Sequence, residues 1–110
     1  MSEFLIGYIT TKDEIEANLI AEKLLSKNLI ACANIIPRIK SFFWWKGKIE
    51  KSDETVLIIK TRSVLRREII KEVKKIHSYE TPCIIFLPIV SGNHEFLDWI
   101  EKNTKQIKEA

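Results

Sequence analysis

The sequence predicts an α+β domain with the element order βαββαβ and one further helix at the C-terminus. Three observations support this prediction. Residues 31–61, ACANIIPRIKSFFWWKGKIEKSDETVLIIKT, have the pattern of one long β-hairpin. A helical pattern lies on each side of this hairpin, and a short apolar strand pattern precedes the first helix and follows the second. Two of the four strands contain a proline, which restricts their place in a sheet.

The first strand and the first helix are predicted at the start of the chain. Residues 4–10 are apolar and include β-branched side chains, which favours a strand. Thr11 and Glu14 match a capping box, in which each side chain bonds the other residue's backbone N–H, so a helix is expected to begin there. Asn28 is expected to end the helix in a left-handed conformation. The buried stripe of this helix comprises Ala17, Ile20, Ala21 and Leu24.

The hairpin is predicted to turn at residues 45–48, where Gly47 can adopt the positive φ that a tight turn requires. Trp45 is expected on one face of the hairpin, and Phe42 and Trp44 on the other. Both faces are therefore apolar, whereas one layer of helices can cover only one of them. We expect a partner subunit to cover the second face, with Phe42, Trp44 and Trp45 in that interface.

The second half of the chain continues with helix, strand and helix. Ser63 is the expected N-cap of a second helix, and residues 83–90, CIIFLPIV, form the last predicted strand. Asn93 is expected to precede the third helix, and disorder is expected at residues 104–110. The second helix presents Leu65, Ile69, Val73 and Ile76 on one face. The third helix carries Phe96, Trp99, Ile100 and Ile107.

Proline places two of the strands at the edges of the sheet. A proline cannot donate a hydrogen bond to a neighbouring strand, and Pro37 and Pro88 fall in the second and fourth predicted strands. The first and third strands contain none and are expected at the centre. With right-handed helical crossovers, the strand order is 4-1-3-2. The fold class is therefore an α+β, ferredoxin-like βαββαβ sandwich with a long hairpin between its second and third strands.

Composition indicates one globular domain over residues 1–110. Apolar residues make up 45% of the chain and charged residues 30%, a mixture typical of a folded domain. The net charge of +3 comes from 18 basic and 15 acidic residues scattered along the chain, so no nucleic-acid partner is expected. No run is long enough to cross a membrane, and the N-terminus lacks the features of a signal peptide. We therefore expect a cytoplasmic protein whose Cys32 and Cys83 are free thiols.

Five motifs together resemble those of the CutA family of divalent-cation tolerance proteins. They are ACANIIP, WWKGKIE, LIIKT, HSYETP and a C-terminal Phe-Leu-x-Trp, in the order and at the spacing of that family. The resemblance covers residues 8–99. It implies a ferredoxin-like fold similar to that of the PII signalling proteins, a homotrimer, and an association with copper and other heavy-metal ions.

The chain departs from the family pattern at three positions. Some CutA proteins have a cysteine at the end of the first strand, a proline between the motif histidine and tyrosine, and an acidic residue directly after the motif proline. Here those positions hold Thr10, Ser78 and Cys83. Of the three metal ligands proposed in such members, only the histidine, His77, matches by type.

A metal site is predicted where the second helix ends. His77, Glu80 and Cys83 lie within seven residues, and an imidazole nitrogen with a thiolate sulfur suits copper or zinc. The alternative for His77 is a structural role at the end of the helix. Copper or another divalent cation is thus a possible ligand, and no cofactor is required.

A second hypothesis is an intersubunit cleft for a small anion, formed by Lys60, Tyr79 and this histidine. Its alternative is a buried ion pair of Lys60. An RNA-binding sheet of the RRM type is disfavoured, because the third strand, VLIIK, has no aromatic residue. No catalytic motif is visible, so the chain is not expected to be an enzyme.

Together these observations predict a homotrimer of the CutA type that binds copper or other heavy-metal ions and contributes to the response to metal ions. The alternative is a PII-like trimer that binds a small ligand or acts as a signalling scaffold, without a physiological metal.

Overall fold

The structure is a computed structural model that describes residues 3–107. Its elements follow the predicted order, βαββαβ with a C-terminal helix. They are β1 (Phe4–Thr11), α1 (Glu14–Ser26), β2 (Cys32–Trp45), β3 (Lys48–Arg62), a 3-10 turn (Ser63–Leu65), α2 (Arg66–Ile76), β4 (Ile84–Pro88) and α3 (His94–Lys102). Within the described residues, no helix is long and apolar enough to span a membrane.

The four strands form one antiparallel sheet in the order β2-β3-β1-β4, which confirms the predicted order 4-1-3-2. Both edge strands contain the prolines expected there. Pro88 is the last residue of β4. Pro37 lies in a bulge between Ile36 and Ile39, where the β2–β3 register shifts and Arg38 has a φ of 64°.

The core lies between α1, α2 and one face of the sheet. Leu5, Gly7, Ile9 and Thr11 of β1 point to this face and alternate with half-buried residues, as expected for a strand with one covered face. Complete burial of a leucine or isoleucine side chain stabilises the fold by roughly 1.5–3 kcal/mol. The fully buried contributors are Ile9, Ile20, Leu24, Leu57, Ile59, Ile69 and Val73.

The start of α1 differs from the prediction. Asp13, not Thr11, caps the helix, since its carboxylate accepts the Glu16 N–H at 2.9 Å. Thr11 is buried as the last residue of β1, opposite Thr55, and its hydroxyl lies 3.0 Å from the Thr55 carbonyl oxygen. The capping prediction was wrong because the strand continues through Thr11.

The end of α1 follows the prediction. Asn28 has a φ of 55°, and the Leu29 N–H donates to the Leu24 carbonyl at 3.0 Å. The Asn28 N–H donates to the Leu25 carbonyl, also at 3.0 Å. These two bonds form a Schellman motif, which satisfies carbonyls that the last turn of the helix would leave unpaired.

The β2–β3 hairpin turns through two residues, Lys46 and Gly47, which have φ values of 50° and 79°. Two positive φ values identify a type I′ turn, which matches the twist of the strands. The pairing of β1 with β3 ends at Thr11–Thr55, whereas β2 and β3 remain paired as far as Trp45–Lys48. The outer half of the hairpin, residues 39–54, therefore extends beyond the rest of the sheet.

The other element boundaries show smaller differences. Ser63 opens a 3-10 turn, and α2 begins only at Arg66, after Leu65 at its N-cap position. Leu65, Ile69 and Val73 are buried as expected, but Ile76 is exposed. The last strand is Ile84–Pro88, shorter than the predicted residues 83–90.

The predicted disorder at residues 104–110 is wrong for the first of these residues. Thr104 is buried, and its hydroxyl accepts a hydrogen bond from Arg62 Nε at 2.9 Å. Arg62 Nη2 also donates to the Lys105 carbonyl, and the Lys105 N–H donates to the Asn28 carbonyl, each at 2.6 Å. These bonds tie the segment to β3 and to the end of α1. Residues 108–110 lie outside the described part of the chain.

The second face of the sheet is partly uncovered, and its exposed apolar residues lie on the two edge strands. Opposite the core, α3 lies only over the end near Arg62 and Lys60, where the Lys60 ammonium is 5.7 Å from the centre of the Phe96 ring. On the rest of this face Ile36, Ile85 and Leu87 are 45%, 52% and 53% exposed.

Candidate functional site

The candidate site is built around residues 77–83, which connect α2 to β4. The His77 N–H closes α2 with a hydrogen bond of 2.8 Å to the Val73 carbonyl, and the chain then leaves the helix in an extended conformation. This position directs the His77 ring toward the end of β1. The expectation that His77 ends the second helix agrees with this arrangement.

Both nitrogens of the His77 ring are hydrogen-bonded. Nε2 lies 2.8 Å from the Thr10 carbonyl oxygen, and Nδ1 accepts the Tyr79 N–H at 3.1 Å. A carbonyl can only accept and a backbone N–H can only donate, so the ring must carry its proton on Nε2 and none on Nδ1. The surrounding backbone therefore selects the neutral Nε2–H tautomer.

Glu16 holds the next residue of the loop. Its carboxylate is almost fully buried and accepts the Ser78 N–H at 2.7 Å and the Lys12 N–H at 3.0 Å. Burial tends to raise the pKa of Glu16, but the hydrogen bonds from Lys12 and Ser78 outweigh it and hold the pKa below its ordinary value. Glu16 is thus an ionised acceptor that joins α1 to the loop.

Tyr79 is bound to β3 through its phenol. The Tyr79 hydroxyl donates to Glu54 Oε2 at 2.7 Å, and the centre of the Tyr79 ring lies 4.8 Å from the centre of the His77 ring. Burial and, after it, the hydrogen bond to the Glu54 carboxylate raise the pKa of Tyr79. The phenol therefore stays protonated at neutral pH and acts as a donor, not as a phenolate ligand.

A cleft of about 880 Å³ lies between this loop and the outer half of the hairpin. It brings together five residues that the sequence singles out, namely Trp44, Trp45, Tyr79, Glu80 and Cys83. Its charged lining consists of three carboxylates, Glu50, Glu54 and Glu80, and the ammonium of Lys51. This excess of negative charge disfavours a small anion in the cleft of a single chain.

Lys60 does not line this cleft. It lies on β3 six residues from Glu54, roughly 20 Å along an extended strand. Its ammonium donates to Asn34 Oδ1 at 2.7 Å and lies 3.7 Å from the Sγ of the half-buried Cys32. The predicted pairing of Lys60 with Tyr79 is therefore not found within one chain, and the amide of Asn34 takes the place of the predicted ion pair.

The predicted metal ligands do not form a complete site in one chain. Among residues 3–107, no group of three or more His, Cys, Asp or Glu side chains is placed to hold a metal ion. Glu80 and Cys83 line the cleft, but both nitrogens of His77 are bound to the backbone. Of the three predicted ligands only Glu80 and Cys83 thus line the cleft, fewer than the three or four that a tight site requires.

Glu16 and Glu54 belong to this site, but no sequence pattern indicates that they do. Glu16 reads as a charged residue on the outer face of α1, and Glu54 as one of several acids in the hairpin. Their contacts to Ser78 and Tyr79 join residues 62 and 25 positions apart. The helix cap at Asp13, three residues before Glu16, is the one local pattern that relates Glu16 to the turn beside this loop.

Comparison with known proteins gives the family. The family model of the CutA1 divalent ion tolerance protein matches residues 5–103. A divalent-cation tolerance protein CutA of Archaeoglobus fulgidus is 54% identical over 98 residues, which cover 89% of this chain and 95% of that protein. The human protein CutA is 37% identical over 94% of this chain, which spans only 58% of the human protein.

Solved structures agree with the sequence comparison. The Archaeoglobus fulgidus protein, described as a periplasmic divalent cation tolerance protein CutA, superposes with a TM-score of 0.90 at 52% identity, covering 93% of this chain and 99% of that one. CutA1 from Oryza sativa superposes with a TM-score of 0.93 at 36% identity, covering 96% and 97%. With its sheet order, its hairpin and its family motifs, this chain belongs to the CutA family of divalent-cation tolerance proteins.

Proposed function

We propose that this chain acts in divalent-cation tolerance as a homotrimer that binds copper or another heavy-metal ion. The observation that carries the proposal is the uncovered second face of the sheet, where Ile36, Ile85 and Leu87 are each about half exposed. Ile36 lies on the edge strand β2, and Ile85 and Leu87 lie on the other edge strand, β4. Exposed apolar side chains at both edges of one sheet face favour contact with another protein surface. A copy of the same chain can cover it in a closed, symmetric assembly.

The outer half of the hairpin supports the same assembly. Phe42 and Trp44 are 64% and 72% exposed, and both project from a segment that extends past the rest of the sheet. Aromatic side chains in such positions are typical of protein interfaces. Insertion of each hairpin against a neighbouring sheet would also cover strand edges that otherwise invite uncontrolled pairing. Phe42, Trp44 and Trp45 are the anchors we propose for the trimer.

The metal part of the proposal rests on Glu80 and Cys83 in the cleft. A thiolate and a carboxylate are acceptable ligands for copper, with the sulfur favouring the softer ions. Since residues 3–107 of one chain hold no group of three such side chains placed to bind a metal ion, we propose that a neighbouring copy completes the coordination. Binding shared between copies would be of modest affinity and would require the trimer.

Two measurements test this function. Light scattering at micromolar concentration should give the mass of three chains, and a monomer would overturn the proposal. Copper titration calorimetry should show weaker binding for Cys83→Ser than for wild type, because the sulfur ligand is lost. Equal binding by both proteins would remove this cleft as the metal site.

A second candidate is a PII-like trimer that binds a small organic ligand and no physiological metal. The size of the cleft favours it, because about 880 Å³ lies within the usual range of ligand pockets. The charges of its lining restrict that ligand to a neutral or cationic molecule. Thermal shifts with a panel of such compounds, compared between wild type and Tyr79→Phe, would distinguish this function from metal binding.

The remaining expectations belong to the same proposal. We propose a cytoplasmic protein without enzymatic activity and without a nucleic-acid partner. The scattered charges support the last of these, and the lack of aromatic residues in VLIIK on β3 argues against an RRM-type surface.

A further inference from the structure

We propose that His77 is a positioning residue that latches residues 77–83 to the sheet as a neutral imidazole, and that copper binding by this chain does not use its ring. The family resemblance suggests the opposite role, that of a metal ligand. The proposal depends on contacts within one chain. It therefore does not rest on the trimer or on the metal function proposed above.

The first argument is the state of the two ring nitrogens. Nε2 carries a proton because it faces the Thr10 carbonyl oxygen at 2.8 Å, so it has no lone pair for a metal. The lone pair of Nδ1 accepts the Tyr79 N–H at 3.1 Å. A histidine that binds a metal needs a free imidazole lone pair, and its other nitrogen usually donates to a hydrogen-bond acceptor. Here the acceptor is present, but a protein donor occupies the lone pair.

The second argument is that three consecutive residues are bound to three different elements. His77 bonds to Thr10 of β1, the Ser78 N–H to Glu16 of α1, and the Tyr79 hydroxyl to Glu54 of β3. A rotation of the His77 ring toward a metal would break both of its hydrogen bonds. It would also leave the Tyr79 N–H and the Thr10 carbonyl without these partners, which is costly in a partly buried loop.

The third argument concerns the cleft. Tyr79, Glu80 and Cys83 line it, whereas His77 is not among its lining residues. The latch holds the backbone of Tyr79, and the contact with Glu54 holds its phenol, so together they fix one wall of the cleft. His77 thus acts on any ligand of the cleft only through the position of this wall.

The direct test is nitrogen NMR of the His77 ring at neutral pH. We expect the shifts of a neutral ring with the proton on Nε2, since that form alone satisfies both contacts. His94 is exposed on α3 and provides the reference ring. A His77 ring with the proton on Nδ1, or one that averages between the two tautomers, would overturn the proposal.

Amide exchange tests the latch independently. In His77→Ala the exchange of the Tyr79 amide should accelerate about fivefold, the effect of losing one neutral hydrogen bond. His77→Gln should retain part of the protection, because its amide can still donate to the Thr10 carbonyl, and it also serves if His77→Ala does not fold. His94→Gln should change nothing. Unchanged exchange in both His77 variants would contradict the latch.

Copper titration completes the test. The dissociation constants of wild type, His77→Gln and His94→Gln should agree within about twofold, whereas removal of a true ligand typically costs about tenfold or more. A tenfold loss confined to His77→Gln would identify the ring as a ligand and refute the proposal. If wild type binds no copper, the metal part of the proposed function fails. The ring spectrum and the amide exchange then decide whether His77 holds the loop as proposed.

Discussion

At the scale of single residues, Glu72 shows how a buried carboxylate can join two helices. It is 5% exposed and accepts hydrogen bonds from Lys27 Nζ at 2.7 Å and Lys75 Nζ at 3.0 Å. Lys27 follows the end of α1, so its bond with Glu72 joins α1 to α2, whereas Lys75 lies three residues after Glu72 on α2 itself. These hydrogen bonds, first that of Lys27, lower the pKa of Glu72 to about 2.

The lowered pKa predicts how stability depends on pH. Because the folded pKa lies below the unfolded one, ionised Glu72 stabilises the fold above the unfolded pKa, and this contribution disappears as the pH falls from about 4.5 toward 2. Glu72→Gln should therefore lower the urea midpoint at pH 7 and match wild type near pH 2. Glu22→Gln, at an exposed position of α1, is the control. A difference between Glu72→Gln and wild type that is constant over this pH range would contradict the assignment.

Gly7 provides a second prediction at this scale. A Cβ at this position of β1 would lie 2.5 Å from Ile59 Cγ1 and 3.2 Å from Phe86 Cε1, and Ile59 is fully buried. Gly7→Ala should therefore destabilise the fold by about 1–3 kcal/mol, as overpacking does. Gly92→Ala is the matched control, because its Cβ would meet Leu97 at 3.6 Å, an ordinary contact. Urea unfolding measures the stability of both variants, and equal unfolding midpoints for the two would refute the steric argument.

At the scale of elements, patterns of local origin were predictable from the sequence, and contacts distant in the sequence were not. Alternation and proline placement predicted the hairpin and the strand order, because both depend on which faces and edges a strand offers. The cap at Asp13 was missed, since pairing with Thr55 keeps Thr11 in β1. In the site, adjacency predicted that His77, Tyr79, Glu80 and Cys83 converge on one cleft, and the structure places all of them except His77 in its lining. The His77–Thr10 contact spans 67 residues and has no local signature.

The hairpin turn carries the prediction at this scale. Lys46 has a φ of 50°, which is unfavourable for a side chain with a long aliphatic stem, whereas asparagine tolerates it well. Lys46→Asn creates the Asn-Gly pair preferred in type I′ turns and should stabilise the fold by about 0.4–1 kcal/mol. Gly47→Ala, at a φ of 79°, should destabilise it by about 1 kcal/mol. Thermal unfolding of both variants measures these changes in stability. Shifts of the melting temperature in the same direction for both variants would contradict a type I′ turn.

At the scale of the whole molecule, the two sides of the sheet have different roles. The helices α1 and α2 bury the central strands on one side, and the network of His77, Glu16 and Tyr79 fixes the loop at its end. The other side remains apolar and open, and the hairpin extends beyond it. One chain therefore forms its own hydrophobic core, whereas some apolar side chains on its other side remain exposed to solvent. Assembly therefore need not alter the core, and the proposed trimer would form from folded protomers.

This separation predicts that one charge on the open face prevents assembly and leaves the protomer folded. Ile85 is 52% exposed on that face, opposite Tyr8, so Ile85→Lys would place an unpaired ammonium in the proposed interface. Ile15 on α1 is 71% exposed on the opposite side of the molecule and is the matched control. Light scattering across micromolar concentrations should give a monomer for Ile85→Lys and a trimer for Ile15→Lys, with native circular dichroism in both. Both substitutions add the same charge at an exposed isoleucine, so they differ only in the side of the molecule they alter. A trimer that survives Ile85→Lys would place the interface elsewhere. Dissociation of Ile15→Lys would assign the interface to the helical side.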